Sequence, residues 1–573
     1  MPSKLNRRAF LVLTVQAAGG FALASCGPAT PAAPAPTQAA PPTAAKAPPV
    51  NPTTAPVNPT TVAASAATAK PAASAPTTAP AATLTTAAGV KRGGTLLIAD
   101  FSDQKTLDPA LINTTPMRNI GRSIYDTLVD IDLNGNYVPV LAESWETPDP
   151  RTWILHVRQG IKYPDGTPFD AAVVKFNIDR HLDPATKSRQ IGELLTIDNV
   201  EVVNSSTVRF RLKAPSAGFL SPFLDRTGFM ASPAAVQQWG NDAYGQHPVG
   251  VGPYRLVDYQ ADQSYTVERN PDYWDTGKPY LDRITWKIIP LDATRLVELR
   301  SSGVHIAEDL PLQNVEQMRG MSDIMLSERP GARFYFNRWN MDDEYGKSLE
   351  LRQAYNWILD REAINKAVFF GTGIIGFDPF LPGQPFYDAN YKPYSRDVAK
   401  AKALMDKASL PTERKFTIYP DTGAVGQKLA QIMQATFAEL GLEVNIQNED
   451  LAATTAREER GDWVITVSST GRFAFRPDPA QYLGSLWHSK STYYRTGKLK
   501  DEETDRLITE GESEPDKSKR YTLYRQLASR INEVGSTAFF ENSSDFKGLS
   551  PKLRGFVHMP DVINRFKDLW LDQ

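Results

Sequence analysis

The chain has 573 residues, with 63 Lys and Arg against 65 Asp and Glu, a formal net charge of −2, 41% hydrophobic residues and one cysteine, Cys26. A mildly acidic chain without a basic block lacks the electrostatic footprint of a nucleic-acid binder, and a single thiol excludes an internal disulfide framework and zinc–cysteine centres. The six histidines (His156, His181, His247, His305, His488 and His558) are far apart and no two have the i, i+4 spacing of a helical metal pair, so metal binding is disfavoured and no cofactor is expected.

Residues 1–25 read as a signal peptide. Lys4, Arg7 and Arg8 precede a 15-residue apolar stretch over 10–24, too short to cross a ~30 Å hydrocarbon core comfortably. Leu23-Ala24-Ser25-Cys26 resembles the lipobox of bacterial lipoproteins, in which the thiol is acylated and the peptide is cut before it. Asn6-Arg7-Arg8-Ala9-Phe10-Leu11 is similar to a twin-arginine export signal, with Asn6 in place of the usual Ser or Thr. The twin-arginine and general secretory routes both stay open, and so does an ordinary secretory peptide that carries a cysteine. The expectation is a mature protein lipid-anchored through Cys26 on the outside of the cytoplasmic membrane, touching the bilayer through that anchor alone. Losing three cations would take the formal charge from −2 to −5.

Residues 26–92 form a linker that is almost wholly Ala, Pro, Thr, Ser, Val and Asn from Gly27 to Gly89, where it has no aromatic residue and only Lys46 and Lys70 as charges. Such a tract buries too little apolar surface to offset its ordering entropy, and its prolines favour extended segments. At ~3.1 Å per residue its full reach approaches roughly 190 Å, enough to hold a globular body away from the bilayer.

From Gly93 the composition is globular for ~480 residues, more than one hydrophobic core accommodates. No run beyond Ala24 approaches 18 apolar residues. Trp153, Leu155 and Val157 alternate with Thr152, Ile154 and His156, as a strand does. Tyr163-Pro164-Asp165-Gly166 is a turn signal in which Gly166 permits positive φ. Residues 207–213 alternate strictly, with Val208, Phe210 and Leu212 on the core side. Gly250-Val251-Gly252-Pro253-Tyr254 offers backbone freedom where the chain changes direction. A helix is expected near 349–359, and Asp360 is a cap for the next one, through Phe369. Val425, Leu429, Ile432, Met433 and Leu440 form a helical stripe that Gly441 ends, with a strand from Leu442 through Val444 and Ile446. Interspersed strands and helices indicate α/β layers. No internal repeat is present.

Several segments in order resemble the family 5 extracellular solute-binding proteins of bacterial ABC importers, the group of peptide, nickel and some oligosaccharide binders. They are GGTLLIADFSDQKTLDPA (93–110), IYDTLV (124–129), YVPVLAESWE (137–146) and TWILHVRQGIKYPDGTPFDAAVVKFNIDR (152–180), then HPVGVGPYRLVDY (247–259), ERNPDYWDTGKPYLDRITWKIIP (268–290) and LRQAYNWILDREAINKAVFFGTG (351–373). The resemblance covers nearly all of 93–573. It implies an α/β, type II periplasmic-binding-protein clamshell with an additional inserted domain. The first lobe would be discontinuous (93–130, 247–328 and 541–573), 131–246 the inserted subdomain and 329–540 the second lobe. It further implies a monomer that closes on a small-molecule solute between its lobes, and permease subunits in the membrane that read the closed shape.

The resemblance also nominates ligand contacts. Thr470-Gly471-Arg472-Phe473-Ala474-Phe475-Arg476-Pro477-Asp478-Pro479 looks like the family's cleft segment. Peptide-binding members place an aspartate three positions before its acidic residue, to pair with the peptide ammonium. Phe475 occupies that position here, which demotes peptides. Arg472 and Arg476, interleaved with Phe473 and Phe475, suit an anionic or amphipathic solute; the other reading pairs one arginine with Asp478 or a surface carboxylate and makes the phenylalanines core. Trp339 and Asn340 lie where relatives enter the second lobe, as a sugar-type pair or as core. Trp487, Tyr493, Tyr494 and Arg495 fall in a loop that approaches ligand in relatives, and Asn113 and Thr114 in a polar first-lobe loop or a solvent-facing turn. Oligosaccharide, peptide and anionic ligands all remain open.

No enzyme is expected. Asp342, Asp343 and Glu344 read as a solvated acidic patch. Gly371-Thr372-Gly373-Ile374-Ile375-Gly376 matches G-x-G-x-x-G but follows a helix rather than a strand, so the dinucleotide reading is rejected. No P-loop or nucleophile-elbow motif is present. The alternative function is an extracytoplasmic sensor that passes its closed state to a signalling partner; a secreted hydrolase is a distant third.

Overall fold

The computed structural model describes residues 89–573 other than 104, 421–422, 468, 471–475, 492–496 and 573. Cys26, Arg472, Phe473, Phe475, Tyr493, Tyr494 and Arg495 therefore lie outside the described residues.

Alternating apolar residues build the first layer. Val208 and Phe210 are fully buried and Leu212 nearly so, and their strand, Thr207–Leu212, sits in a four-stranded antiparallel sheet beside Thr152–Val157 and Ile197–Asn204, with Ala142–Asp149 at the far edge. The helix Ala171–Leu182 packs on this sheet, its first turn capped by the Asp170 carboxylate, which accepts from the amides of Ala172 and Val173. Leu155, Phe210, Phe219 and Phe223 centre the core between them. Gly166 has φ +87° and its amide donates to the Tyr163 carbonyl at 2.9 Å, as the turn requires.

The second layer is an eight-stranded sheet in the order Ser469–Thr470, Met325–Arg338, Thr537–Leu549, Ile306–Ala307, Thr95–Asp100, Arg283–Ile288, Ser264–Arg269, Tyr254–Gln260. Thr95–Asp100 runs parallel to both of its neighbours, and the remaining pairs are antiparallel. Gly250 and Gly252 enter it, though not for their φ freedom. The backbone there passes directly over Ile124 and Tyr125, and a Cβ on Gly252 would sit 2.5 Å from the Ile124 carbonyl carbon.

The paired strands Met325–Arg338 and Thr537–Leu549 are long, at 14 and 13 residues, and join separate cores. Leu549 packs with Leu96 and Ile98. Farther along, Phe334, Phe336 and Phe539 belong to a core with Trp487, Tyr524 and Leu527, and Ala538 and Phe540 to one with Leu351, Leu429 and Phe437. Their register breaks between Arg329 and Arg333 and again between Tyr335 and Phe336. Pro330 and Gly331, the latter at φ +63°, fall in the first break and give the ladder a natural place to bend.

The expected helices form around the Leu429 core. Leu349–Ile358 is capped by Ser348, and Arg361–Phe369 by Asp360, which accepts from the Ala363 amide at 2.8 Å. Ala424–Glu439 buries Leu429, Met433 and Phe437, and Gly441 follows at φ +77°. Glu443–Ile446 then pairs in parallel with Lys415–Ile418. After Arg361–Phe369 the G-x-G-x-x-G run continues into irregular chain whose Ile374 bridges Asn542. Gly373 lies so close to the Glu541 carboxylate that no side chain would fit.

Glu541 itself is 1% exposed, and among the described residues neither of its oxygens has a hydrogen-bond partner. Burial raises it well above the usual carboxylate range, against the pull of Arg333. The folded form therefore keeps a proton that the unfolded chain releases, so this group's contribution worsens as pH rises above the unfolded value of ~4.3. Glu541→Gln is expected to raise the unfolding free energy by about 1–3 kcal/mol at pH 7.5 and to change it little at pH 4. Urea unfolding at the two pH values checks this, and an equal effect at both would refute it.

Candidate ligand cleft

A cavity of about 580 Å³ lies between the segment 189–226 and the segment 478–512, with Asn113 on its wall. The first segment supplies two one-turn helices, Ile191–Glu193 and Arg226–Gly228, and the apolar wall of Ile191, Leu194 and Phe219. The second supplies the start of the helix Ala480–Trp487 and the end of Glu502–Ser513.

A chain of alternating charges borders the cavity. The Arg118 Nε lies 2.8 Å from Asp225, Arg226 reaches Asp225 at 3.4 Å and Glu193 at 3.0 Å, and Arg476 donates to both Glu193 oxygens at 3.2 and 3.3 Å. Arg476 also donates to the Ser221 carbonyl at 2.9 Å. Burial works against the Asp225 charge, yet Arg118, Arg226 and Arg476 hold its carboxyl well below the usual range. Across the cavity, Arg520 pairs with Asp478, whose Cγ would lie 2.7 Å from a Cβ on Gly218. Burial still raises Asp478. Burial, with Asp478 nearby, pushes Glu512 up to about 7, although a Ser216 hydrogen bond opposes it.

The carboxyls lining the cavity are thus committed: Glu193 to two arginines, Asp478 to Arg520, and Glu512 half-neutralised. The cations at its rim are not. Arg189 and Lys490 are exposed, and among the described residues neither side chain makes an ion pair.

The nominated residues divide sharply. Asn113 lines the cavity and Arg476 borders it. Thr114 is the cap of the helix Thr115–Ile124, its hydroxyl accepting from the Met117 amide at 3.3 Å. Trp339 is fully buried, edge-on to Tyr355 and Phe437. Asn340 is 2% exposed, and its amide donates to the carbonyls of Gly461 and Trp463. Trp487 is fully buried, its indole donating to the Thr537 hydroxyl at 2.9 Å. For Trp339, Asn340 and Trp487 the expected ligand contact is corrected to packing, because their polar atoms and rings are turned into the protein interior. Asp343 caps the helix Glu344–Lys347, and Asp342 pairs with Lys498 and Lys500. Sequence reasoning missed Arg189, Glu193, Arg226, Lys490 and Glu512. The Asp225-Arg226 dipeptide was the one local hint of an ion-pair chain.

The model of the bacterial extracellular solute-binding proteins, family 5, matches residues 136–494. A glutathione-binding protein, GsiB, of Pectobacterium atrosepticum is 28% identical over 481 residues, covering 82% of this chain and 93% of the relative. The solved DppA of Helicobacter pylori in complex with peptide STSA superposes with a TM-score of 0.76 at 25% identity, over 84% of this chain and 99% of that one. AgaA of Agrobacterium tumefaciens R10 in complex with agropinic acid gives 0.74 at 25% identity, over 84% and 99%. The α/β architecture is that of the type II periplasmic binding proteins. The chain belongs to the family 5 bacterial extracellular solute-binding proteins.

Proposed function

We propose that the solute this binding protein captures and delivers to an ABC importer is a small carboxylic acid of net negative charge held in the 580 Å³ cavity. One observation carries the reading: Glu193 and Asp478 are paired with arginines within the protein, while among the described residues Arg189 and Lys490 at the rim make no ion pair. An anionic guest supplies what those cations lack, whereas a cationic one finds only the partly protonated Glu512. Glutathione and agropinic acid, named for the relatives GsiB and AgaA, are both carboxylic acids.

In this reading 93–130, 247–328 and 541–573 form one lobe, 131–246 packs beside it, and 329–540 is the opposing lobe. The crossing strands Met325–Arg338 and Thr537–Leu549 then serve as the hinge. Contacts from the solute to both sides favour the closed form, which the permease reads. The protein acts as a monomer, held by a lipid on Cys26 and spaced from the membrane by 26–92. Its role is binding and delivery, with no residue given a catalytic part.

Calorimetry on the full chain with glutathione, agropinic acid and the peptide STSA tests the ligand class. One of the acids is expected to bind at micromolar Kd or tighter, and Arg189→Ala with Lys490→Ala to weaken it at least about tenfold, the scale of lost charge-assisted bonds. Tightest binding by STSA or by a neutral sugar, or no effect of the paired substitution, would overturn the reading.

A further inference from the structure

Arg476 connects segments far apart in the chain. Among the described residues the three hydrogen bonds its guanidinium donates all go to the 189–226 segment: two to Glu193, 283 residues away in sequence, and one to the Ser221 carbonyl. Both side chains are shielded, Arg476 being 6% and Glu193 9% exposed. Beside them the Ala217 amide donates to the Glu512 carbonyl at 2.9 Å, and Asp478 packs against Gly218, where any side chain would collide.

The charges are arranged so that this contact can break cleanly. Without Arg476, the set Arg118, Asp225, Arg226 and Glu193 holds two cations and two anions, already joined to one another. On the other side Asp478 keeps Arg520. Separation therefore strands no buried carboxylate: the Arg476 guanidinium exchanges protein partners for water, as do the Ala217 amide and the Glu512 carbonyl. A buried ion pair that was needed for folding would leave an uncompensated charge when parted. This one does not.

We propose that Glu193 and Arg476 form a latch that holds the cleft closed in the absence of solute, with Arg226 and Asp225 positioning the Glu193 carboxylate to receive the incoming guanidinium. The latch rests on the reading of 131–246 and 329–540 as bodies that move apart. It extends that reading by giving the closed state a stability that does not come from the guest. Apparent affinity for any solute is the intrinsic affinity scaled by the fraction of molecules already closed. The latch therefore tunes affinity for all solutes alike, whereas the rim cations Arg189 and Lys490 select among them.

The test reads the closed fraction directly and without solute. Spin labels are placed at Val202→Cys and Tyr521→Cys, both exposed and one in each of the bodies 131–246 and 329–540 that this reading moves apart, in the full chain carrying Cys26→Ala so that these are its only thiols. Pulsed electron–electron distance measurement is expected to show a predominant short distance. Glu193→Gln, which keeps the shape and removes the charge, and Arg476→Ala should each reduce that population about fivefold or more. The double variant should be no worse than either single one, and Arg476→Lys should recover part of the loss. Glu201→Gln, which affects the half-buried pair with Arg209 away from the cavity lining, should leave the distances unchanged.

In calorimetry with glutathione and with agropinic acid, Glu193→Gln should raise Kd by the same factor for whichever of them bind. Unchanged distances in both Glu193→Gln and Arg476→Ala would overturn the latch, and so would a Kd loss confined to one acid. Failure of both acids to bind, with the distances still shifting, would overturn the ligand class and leave the latch standing.

Discussion

Lys547→Ala is expected to lower the unfolding free energy by about 3–5 kcal/mol, the cost of breaking a buried ion pair from one side. Lys547 lies on the crossing strand Thr537–Leu549, is 1% exposed, and places its ammonium 2.7 Å from Glu308 and 3.9 Å from Asp545. Burial disfavours its charge, but Glu308 and Asp545 outweigh that and raise it above the ordinary lysine range. The other Glu308 oxygen accepts from the Asn564 amide at 2.7 Å. Asp100 is fully buried close by, raised by burial and then by Glu308, with one oxygen unpartnered among the described residues. Without the ammonium, Glu308 loses its ion-pair partner and keeps only the Asn564 amide, and Asp100 loses the one cation that offsets its burial. The orphaned Glu308 lies directly after Ile306–Ala307, where that strand meets Thr537–Leu549, so the cost falls on this junction of the sheet. Replacing both partners, Lys547→Met with Glu308→Gln, removes the orphaned charge and should recover most of the loss. Urea unfolding of the single and double variants decides it. A single-variant loss below about 1 kcal/mol would mean that the ammonium is dispensable.

Local chemistry made much of this fold legible. Strict alternation placed Val208, Phe210 and Leu212 inward because a strand has period two. Asp360 was readable as a cap because a carboxylate before a helix satisfies amides that have no other partner. Gly441 was readable as a terminator because it adopts a left-handed φ without strain. The crossing strands were not legible in this way. Met325–Arg338 mixes exposed, half-buried and buried residues because it passes from one core to another, and that erases the period.

The cleft was less legible still, for a related reason. Glu193 meets Arg476 across 283 residues, and nothing near either position encodes the other. Asn340 has the composition of a sugar contact, but an amide donating to two carbonyls of its own chain has no valence left for a hydroxyl donor's oxygen. Aromatic residues beside polar ones occur in clefts and in cores alike, and only burial separates the two uses. Of the residues the resemblance nominated, Asn113 lines the cavity and Arg476 borders it, while the wall supplied by 189–226 was not nominated at all.

Trp339→Ala should make that separation measurable, with an expected loss of about 3–5 kcal/mol of stability. The indole is fully buried, with ring centroids 5.8 Å from both Tyr355 and Phe437, and those two rings stack on each other at 4.7 Å. Removing it opens a cavity walled by aromatic rings and by the helices Leu349–Ile358 and Ala424–Glu439, whose packing limits collapse. Trp339→Phe keeps most of the apolar contact and, since the indole Nε1 has no hydrogen-bond partner among the described residues, forfeits no bond. Its loss should be clearly smaller than that of alanine. A core residue and a ligand platform respond differently at temperatures where the variant is still folded. If Trp339 is core, the Kd for glutathione or agropinic acid stays within about twofold while Tm falls by several degrees. An unchanged Tm with a Kd weakened tenfold or more would return Trp339 to the solute and contradict the packing described here.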